Sequence, residues 1–158
     1  MTRKSVYIES SVISYLASKP SRDVVSAARQ AITQDWWEAQ KSSFDVYISV
    51  AVEQEISVGD AAAVQGRLAA VASIPSLKAS PHAQVLAKRL LELKALPANS
   101  FIDALHIAIA SSYGADYLLT WNFKHINNAA TKTLIQKTVE AFGFNCPILC
   151  TPEELNGD

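Results

Sequence analysis

Residues 5–11 read Ser-Val-Tyr-Ile-Glu-Ser-Ser, a short β-rich run that ends abruptly in a carboxylate and two hydroxyls. Apolar residues then recur at helical spacing, at Val12, Ile13 and Leu16, so this stretch predicts a strand followed at once by a helix. Further short runs with strand character lie at 46–48, around Leu77, at 117–119 and at 147–149.

Helical segments are predicted between these strands from apolar spacing, capping residues and prolines. They cover 22–40 with Ser21 as N-cap, 50–57, 61–73, 81–96, 101–113 and 129–142. In the helix predicted over 22–40, the apolar face is expected to consist of Val24, Ala28, Ile32 and Trp36. Short apolar strands separated by helices are typical of a parallel sheet covered on both sides. The predicted fold is α/β, a three-layer α/β/α sandwich with a central, mostly parallel sheet, in one domain over residues 1–158.

The composition excludes several classes of protein. Hydrophobic residues make up 49% of the 158 residues, which allows a buried core and excludes a disordered tail. A formal net charge of −1 argues against binding nucleic acid by bulk positive charge, although an enzyme with a local groove stays compatible. The five glycines are widely spaced, so a glycine-rich phosphate loop is absent.

The two cysteines indicate a reducing compartment. If the stretch from Cys146 to Cys150 is extended, about 3.3 Å per residue would place the two thiols roughly 13 Å apart, too far for a disulfide. Without a disulfide framework or a secretory segment, the expected compartment is the cytoplasm. No apolar run approaches the roughly 20 residues that span a bilayer, so no membrane association is expected.

Carboxylates and other polar side chains follow the predicted strands. Glu9 comes directly after the first strand, and Glu55 lies about two helical turns beyond the second, where Glu53 would face the other way. Asp103 begins a strongly apolar helix, and Thr-Trp-Asn at 120–122 ends the third strand. The carboxyl ends of parallel strands share one edge of the sheet, where ligands bind. These side chains are therefore expected to converge at that edge.

Three carboxylates at one edge repel each other unless a cation lies between them. Mg²⁺ or Mn²⁺ suits carboxylate, amide and water ligands, whereas Zn²⁺ would favour Cys or His at metal spacing. Such an ion activates water and stabilises displacement at phosphorus. Spacing alone leaves an alternative open for each acid: Asp103 as an N-cap, Glu55 as a solvated helix residue and Glu9 as a capping acid.

Four stretches carry a family resemblance: Tyr-Ile-Glu-Ser-Ser-Val-Ile-Ser-Tyr-Leu at 7–16, residues 49–55, Asp-Ala-Leu-His-Ile-Ala-Ile-Ala at 103–110 and Leu-Leu-Thr-Trp-Asn at 118–122. In order and spacing they resemble the PIN domain, and most closely the VapC-like toxin nucleases of type II toxin–antitoxin (VapBC) pairs. The resemblance implies an α/β/α sandwich and Mg²⁺- or Mn²⁺-dependent cleavage of RNA by an activated water. It also implies a small antitoxin protein that binds and blocks the toxin, and a homodimer is expected.

Carried over to this sequence, the first three acids of the family fall on Glu9, Glu55 and Asp103, which the resemblance assigns as metal ligands and catalytic residues. Two positions depart from the family pattern. Glu9 stands where Asp is usual, and Asn122 stands where a fourth acid is common, so Asn122 would orient the ion or its water without adding charge. The lower negative charge favours one ion over two and indicates slow or altered catalysis.

Residues near these motifs are predicted to support the site. Ser11 and Thr120 lie beside the acids in sequence, and Thr120 would either hydrogen-bond a carboxylate or cap the next turn. His106 lies one helical turn after Asp103, where it would contact the site, although a core or capping histidine is the commoner outcome. Lys124 and His125 are predicted to contact the phosphate backbone of RNA.

The sequence is compatible with two functions. The first is a metal-dependent endoribonuclease that cleaves single-stranded RNA as the toxin of a toxin–antitoxin pair. The alternative, motivated by Glu9 and Asn122, is a catalytically weak PIN scaffold that binds RNA or a protein partner without cutting. A phospho-acceptor receiver domain fits poorly, because Ser10-Ser11 follows the first acid where a second acid is expected.

Overall fold

Five parallel strands form one sheet in the order β3-β2-β1-β4-β5, in a computed structural model that describes residues 3–156. The strands are β1 (Ser5–Ile8), β2 (Asp45–Ser49), β3 (Ser76–Leu77), β4 (Tyr117–Leu119) and β5 (Ile148–Cys150). In the register, Tyr7 of β1 lies opposite Tyr47 of β2 and Leu118 of β4. The predicted α/β class with a parallel sheet is confirmed.

Helices cover both faces of this sheet. They are α1 (Ser10–Ala17), α2 (Val24–Asp35), α3 (Val50–Ile56), α4 (Ala61–Ala70), α5 (Pro81–Glu92), α6 (Phe101–Tyr113) and α7 (Lys132–Phe142). Successive strand residues point to opposite faces, and Val6, Tyr7 and Ile8 are all fully buried, so both faces of β1 are covered. Within the described range, no helix is both long and apolar enough to cross a membrane.

The start of α2 differs from the prediction. Asp23, not Ser21, is the N-cap: Asp23 Oδ2 accepts the N–H of Ser26 at 2.9 Å, while Ser21 Oγ accepts the N–H of Asp23. The predicted apolar face is also wrong at Val24, which is 82% exposed, and at Ala28, which is exposed too. The buried residues of α2 are Gln30 and Thr33, because this helix packs through hydrogen bonds as well as apolar contact. A π-helical turn (Trp36–Gln40) extends it.

Later boundaries also differ: α4 ends at Ala70 and α5 at Glu92, before the predicted residues 73 and 96. The starts of α7 and β5 shift for reasons in the local backbone. Asn128 Oδ1 accepts the N–H of Ala130 at 2.9 Å, and this turn delays the start of α7 from the predicted residue 129 to Lys132. Pro147 has no N–H, so β5 begins at Ile148, whose N–H donates to the carbonyl of Asp116 at 3.0 Å. Cys146 and Cys150 are free thiols, as their spacing predicted.

The sheet topology places the candidate residues at one edge. β1 pairs with β2 on one side and with β4 on the other, so the strand order reverses beside β1. At that reversal the N–H of Glu9, just past β1, donates to the carbonyl of Leu119 at the end of β4. Open α/β sheets bind ligands in the crevice at this kind of switch point. Glu9 and Thr120 therefore border the expected binding crevice.

Candidate active site

Glu9 lies at the junction of β1 and α1 and is 4% exposed. Its Oε2 accepts the N–H of Ser11 at 3.1 Å, so Glu9 caps α1. Its Oε1 accepts the hydroxyls of Ser11 and Thr120, both at 2.5 Å. Glu9 therefore does cap α1, which is the alternative that the sequence left open. As a cap, its carboxylate still lies at the edge of the sheet.

Glu55 on α3 reaches the same edge from the next strand. Its Oε1 accepts the hydroxyl of Ser10 at 2.6 Å and lies 2.5 Å from Nε2 of His106. The side chain of Glu55 is 38% exposed, whereas His106 on α6 is fully buried. Glu55 is therefore a partly solvated residue that three elements hold in place: its own helix α3, the start of α1 and the core of α6.

A chain of hydrogen bonds fixes which nitrogen of His106 faces Glu55. Ser49 Oγ accepts the N–H groups of Ala51 and Val52, at 3.1 and 3.4 Å, which uses both of its lone pairs. Its own proton must then go to the hydroxyl oxygen of Tyr7, 2.6 Å away. The Tyr7 hydroxyl in turn donates to Nδ1 of His106 at 2.7 Å. The ring proton therefore lies on Nε2 and is donated to Glu55.

The charges at this edge shift two pKa values. Burial alone would raise the pKa of Glu55, but the hydrogen bonds from His106 and Ser10 and the charge of His106 lower it overall. Burial alone would lower the pKa of His106, but its bond to Glu55 and the charges of Glu9, Glu55 and Asp103 raise it overall. With its proton on Nε2, the ring donates to Glu55, so His106 acts on the site through the Glu55 carboxylate.

Asp103 lies in the first turn of α6 and is not its N-cap, which is Ser100. Its Oδ2 lies 2.8 Å from Nδ1 of His125, and the two side chains are 18% and 22% exposed. Asn122 Oδ1 accepts the backbone N–H of His125 at 3.0 Å, so the loop after β4 delivers His125 to Asp103. Asp103 is thus held by a second histidine, separately from Glu9 and Glu55.

Within the described range, two of the three carboxylates have an oxygen that accepts no hydrogen bond. Among residues 3–156, Glu55 Oε2 and Asp103 Oδ1 have no hydrogen-bond donor, and Glu9 Oε2 accepts only the N–H of Ser11. Ligand atoms of Glu9, Glu55 and His106 all lie within 4.8 Å of one another. Carboxylate oxygens are the ligands that Mg²⁺ and Mn²⁺ prefer, so this donor set fits the expected ions.

The structure brings together only part of the predicted site. Glu9 and Glu55 meet, with Ser11 and Thr120 on Glu9, but Asp103 lies outside their 4.8 Å cluster. The other predicted residues lie in the loop after β4. There Asn122 accepts the backbone N–H of His125, the His125 ring contacts Asp103, and Lys124 is exposed. The sequence left two outcomes open for His106, a contact with the site or a place in the core. The structure shows both, because His106 is fully buried and also contacts Glu55.

Three residues of the site were missed by the sequence analysis: Tyr7, Ser10 and Ser49. Two of them carried a signal. A tyrosine in an otherwise apolar, doubly covered strand needs a partner for its hydroxyl, and a serine just before a helix is a preferred N-cap. Neither signal names the partner, because the partners lie 42 and 99 residues away from Tyr7 along the chain.

Three solved structures are similar to this chain. VapC20 of Mycobacterium tuberculosis, a sarcin-ricin loop cleaving toxin, gives a TM-score of 0.57 at 16% sequence identity, covering 88% of this chain and 95% of its own. VapBC2 of Rickettsia felis, bound to promoter DNA, gives 0.60 at 16% identity, with 93% and 98% covered. FitAB bound to the IR36 DNA fragment gives 0.56 at 12% identity, with 96% and 98% covered.

These are PIN-domain toxin–antitoxin proteins, and the fold of this chain is therefore the PIN-like fold that the sequence resemblance implied. At these identities the likeness establishes the fold. No family model matches the sequence, and no sequence match to a curated protein is significant.

Replacing Tyr7 by Phe tests the buried hydrogen-bond chain. The variant leaves the Ser49 hydroxyl without an acceptor and His106 Nδ1 without a donor. We expect the free energy of unfolding in urea to fall by about 1–3 kcal/mol, the cost of buried unsatisfied polar groups. Tyr117→Phe is the matched control, because the Tyr117 hydroxyl has no hydrogen-bond partner within residues 3–156. Equal stability of the two variants would contradict the series of buried hydrogen bonds through Tyr7.

Proposed function

We propose that this protein is a metal-dependent endoribonuclease that cleaves single-stranded RNA. The observation that carries the proposal is the meeting of Glu9 and Glu55 at the switch point of the sheet, with Asp103 on α6 outside that cluster. One oxygen of each carboxylate is fixed by a hydroxyl or histidine donor, and the other oxygens of Glu55 and Asp103 accept no hydrogen bond among the described residues. Such fixed, partly free carboxylates are what oxygen coordination of a hard cation requires.

Glu9, Glu55 and Asp103 are the proposed ligands of Mg²⁺ or Mn²⁺, which supplies an activated water and stabilises charge at phosphorus. His106 has a different task, because its Nε2 proton is already donated to Glu55. It positions the Glu55 carboxylate, as Thr120 and Ser11 position that of Glu9. Asn122 is proposed to act beside them, and Lys124 and His125 to contact the RNA.

The proposal extends to partners, with support from the structural neighbours. VapC20 is a toxin that cleaves the sarcin-ricin loop, and VapBC2 and FitAB were solved as antitoxin complexes on DNA. We infer that a small antitoxin protein binds and blocks this chain in the same way. A homodimer and a cytoplasmic location are proposed with it, and the two free thiols agree with a reducing compartment.

One observation favours a second function, a PIN scaffold that binds RNA or a protein without cutting it. Asn122 adds no charge, and its side-chain oxygen is already used by the N–H of His125. Every carboxylate of the site also has an internal donor, so the fold does not require an ion to hold the acids in place. The two functions differ in whether the site binds a divalent ion and turns over RNA.

Cleavage of single-stranded RNA is the direct test of the nuclease. Folded, antitoxin-free protein is expected to cleave RNA with Mn²⁺ or Mg²⁺ and not with EDTA, and Asp103→Asn should reduce cleavage to the EDTA level because it removes a negative ligand. Asp35→Asn is the control, since Asp35 is exposed on α2 and has no hydrogen-bond partner through its side chain among the described residues. Intact RNA with both ions would end the nuclease proposal.

Calorimetric titration with Mn²⁺ separates the nuclease from the scaffold without using activity. The wild-type protein should bind Mn²⁺, and Glu55→Gln should weaken binding by at least about tenfold, since it removes the charge but keeps an oxygen for His106 to contact. Glu53→Gln provides a matched control, because Glu53 is exposed on the same helix and should leave the affinity unchanged. No heat of Mn²⁺ binding by the wild type would favour the scaffold.

A further inference from the structure

A groove of about 540 Å³ lies between α1 and α2 beside the candidate active site, and we name it the α1–α2 groove. This volume falls within the range of roughly 300–1,000 Å³ typical of ligand sites. Five serines line the groove together with Tyr15, Lys19 and Gln30. None of these lining residues is a carboxylate, so the groove differs in chemistry from the acidic edge next to it.

Ser11 joins the groove to the acids. It lines the groove, and its hydroxyl donates to Glu9 Oε1 at 2.5 Å while accepting the backbone N–H of Trp121 at 2.8 Å. A molecule that lies along the groove and touches Ser11 is therefore one side chain away from the carboxylate of Glu9. The groove is in this sense an extension of the crevice at the switch point.

Gln30 gives the groove a fixed shape. Its side chain is buried, and its Nε2 donates to Ser18 Oγ at 2.6 Å and to the carbonyl of Lys19 at 2.8 Å. Its Oε1 accepts the N–H of Ser21 at 2.9 Å. These three bonds tie the linker between α1 and α2 to α2, so the two walls keep their separation without a ligand.

One wall of the groove continues into a cluster of aromatic rings with a cation. Tyr15 packs edge-on against Trp121 with ring centroids 6.1 Å apart, and its hydroxyl accepts from Arg29 at 3.4 Å. The Arg29 guanidinium lies 5.5 Å from the Trp121 ring and 5.2 Å from the Phe123 ring. Phe123 is 41% exposed and follows Asn122 directly. An exposed ring and a cation thus stand at the border of the candidate active site.

We propose that the α1–α2 groove binds the part of a single-stranded RNA next to the cleaved phosphodiester, with Phe123 stacking on an unpaired base. This rests on the proposed function. Serine hydroxyls can hydrogen-bond phosphate oxygens and 2′-hydroxyls, Lys19 and Arg29 supply positive charge, and aromatic rings stack on bases of any sequence. The groove thereby gives a chain of net charge −1 a local surface for a polyanion.

A protein segment is the alternative occupant, for which the exposed Val24 and Val25 near Ser26 offer apolar contacts. The hydroxyl-rich lining, its lack of carboxylates and its direct link to Glu9 through Ser11 favour RNA.

Fluorescence anisotropy with a dye-labelled, mixed-sequence single-stranded RNA tests the groove in the Asp103→Asn background with Mg²⁺, where no cleavage interferes. Ser14→Glu combined with Lys19→Glu places negative charge on two exposed groove positions and should raise the Kd by about tenfold or more. Phe123→Ala should raise it by about tenfold through lost stacking. The control, Ser73→Glu combined with Lys88→Glu, makes the same charge change at exposed positions outside the groove lining and should stay within about twofold.

Circular dichroism of each variant shows that the fold is retained. A Kd that rises in the groove variants and not in the control supports the proposal. Equal RNA binding by groove and control variants overturns it and leaves the groove to a protein partner, and absence of RNA binding by the background protein overturns it as well. Failure of the nuclease proposal would give a different pattern. The groove variants would still weaken RNA binding in the anisotropy titration, but the wild-type protein would leave RNA intact in the cleavage assay.

Discussion

The buried hydroxyl of Tyr7 is the constraint on which the candidate site depends. Tyr7 lies in the central strand at 0% exposure, where an unpaired hydroxyl would cost free energy. Ser49 at the start of α3 and His106 in α6 supply its two partners. The same contacts lock the His106 ring with its Nε2 proton directed at Glu55. Satisfying one phenol in the core therefore fixes a carboxylate at the surface, and it ties β1, α3 and α6 to a single geometry.

The type of hydrogen-bond donor that holds each carboxylate determines how much negative charge the site keeps. Glu9 is held by hydroxyls and a backbone N–H, and Glu55 by a hydroxyl and a histidine. No lysine or arginine forms an ion pair with them among residues 3–156. The hydroxyl and backbone donors stabilise an ionised carboxylate without cancelling its formal charge. The edge of the sheet therefore stays electronegative, which a cation of two charges would compensate.

The fold followed from the sequence wherever local pattern and packing agree. β1 ends at Ile8 because an apolar run gives way to polar residues, and the helix that follows has regular apolar spacing. The apolar face of α2 was predicted wrongly at Val24 and Ala28. The buried residues of this helix are Gln30 and Thr33, which hydrogen-bond to the linker and to Trp121. Periodicity counts apolar side chains only, so a helix that packs through satisfied polar groups escapes it.

The position of Glu9 and Glu55 at one edge of the sheet could be predicted from the sequence, but the contacts of the candidate site could not. Glu9, Glu55 and Asp103 follow from their positions after strands and at a helix start, whereas the contact between Glu55 and His106 spans 51 residues of chain. Such a contact depends on how α3 and α6 pack on each other, which no local pattern states. The same holds for the α1–α2 groove, where Gln30 sets the wall spacing through three bonds to the linker. A chain of near-neutral net charge can therefore present an acidic edge and a hydroxyl-lined groove side by side, because each arises from tertiary contacts and neither is visible in the composition.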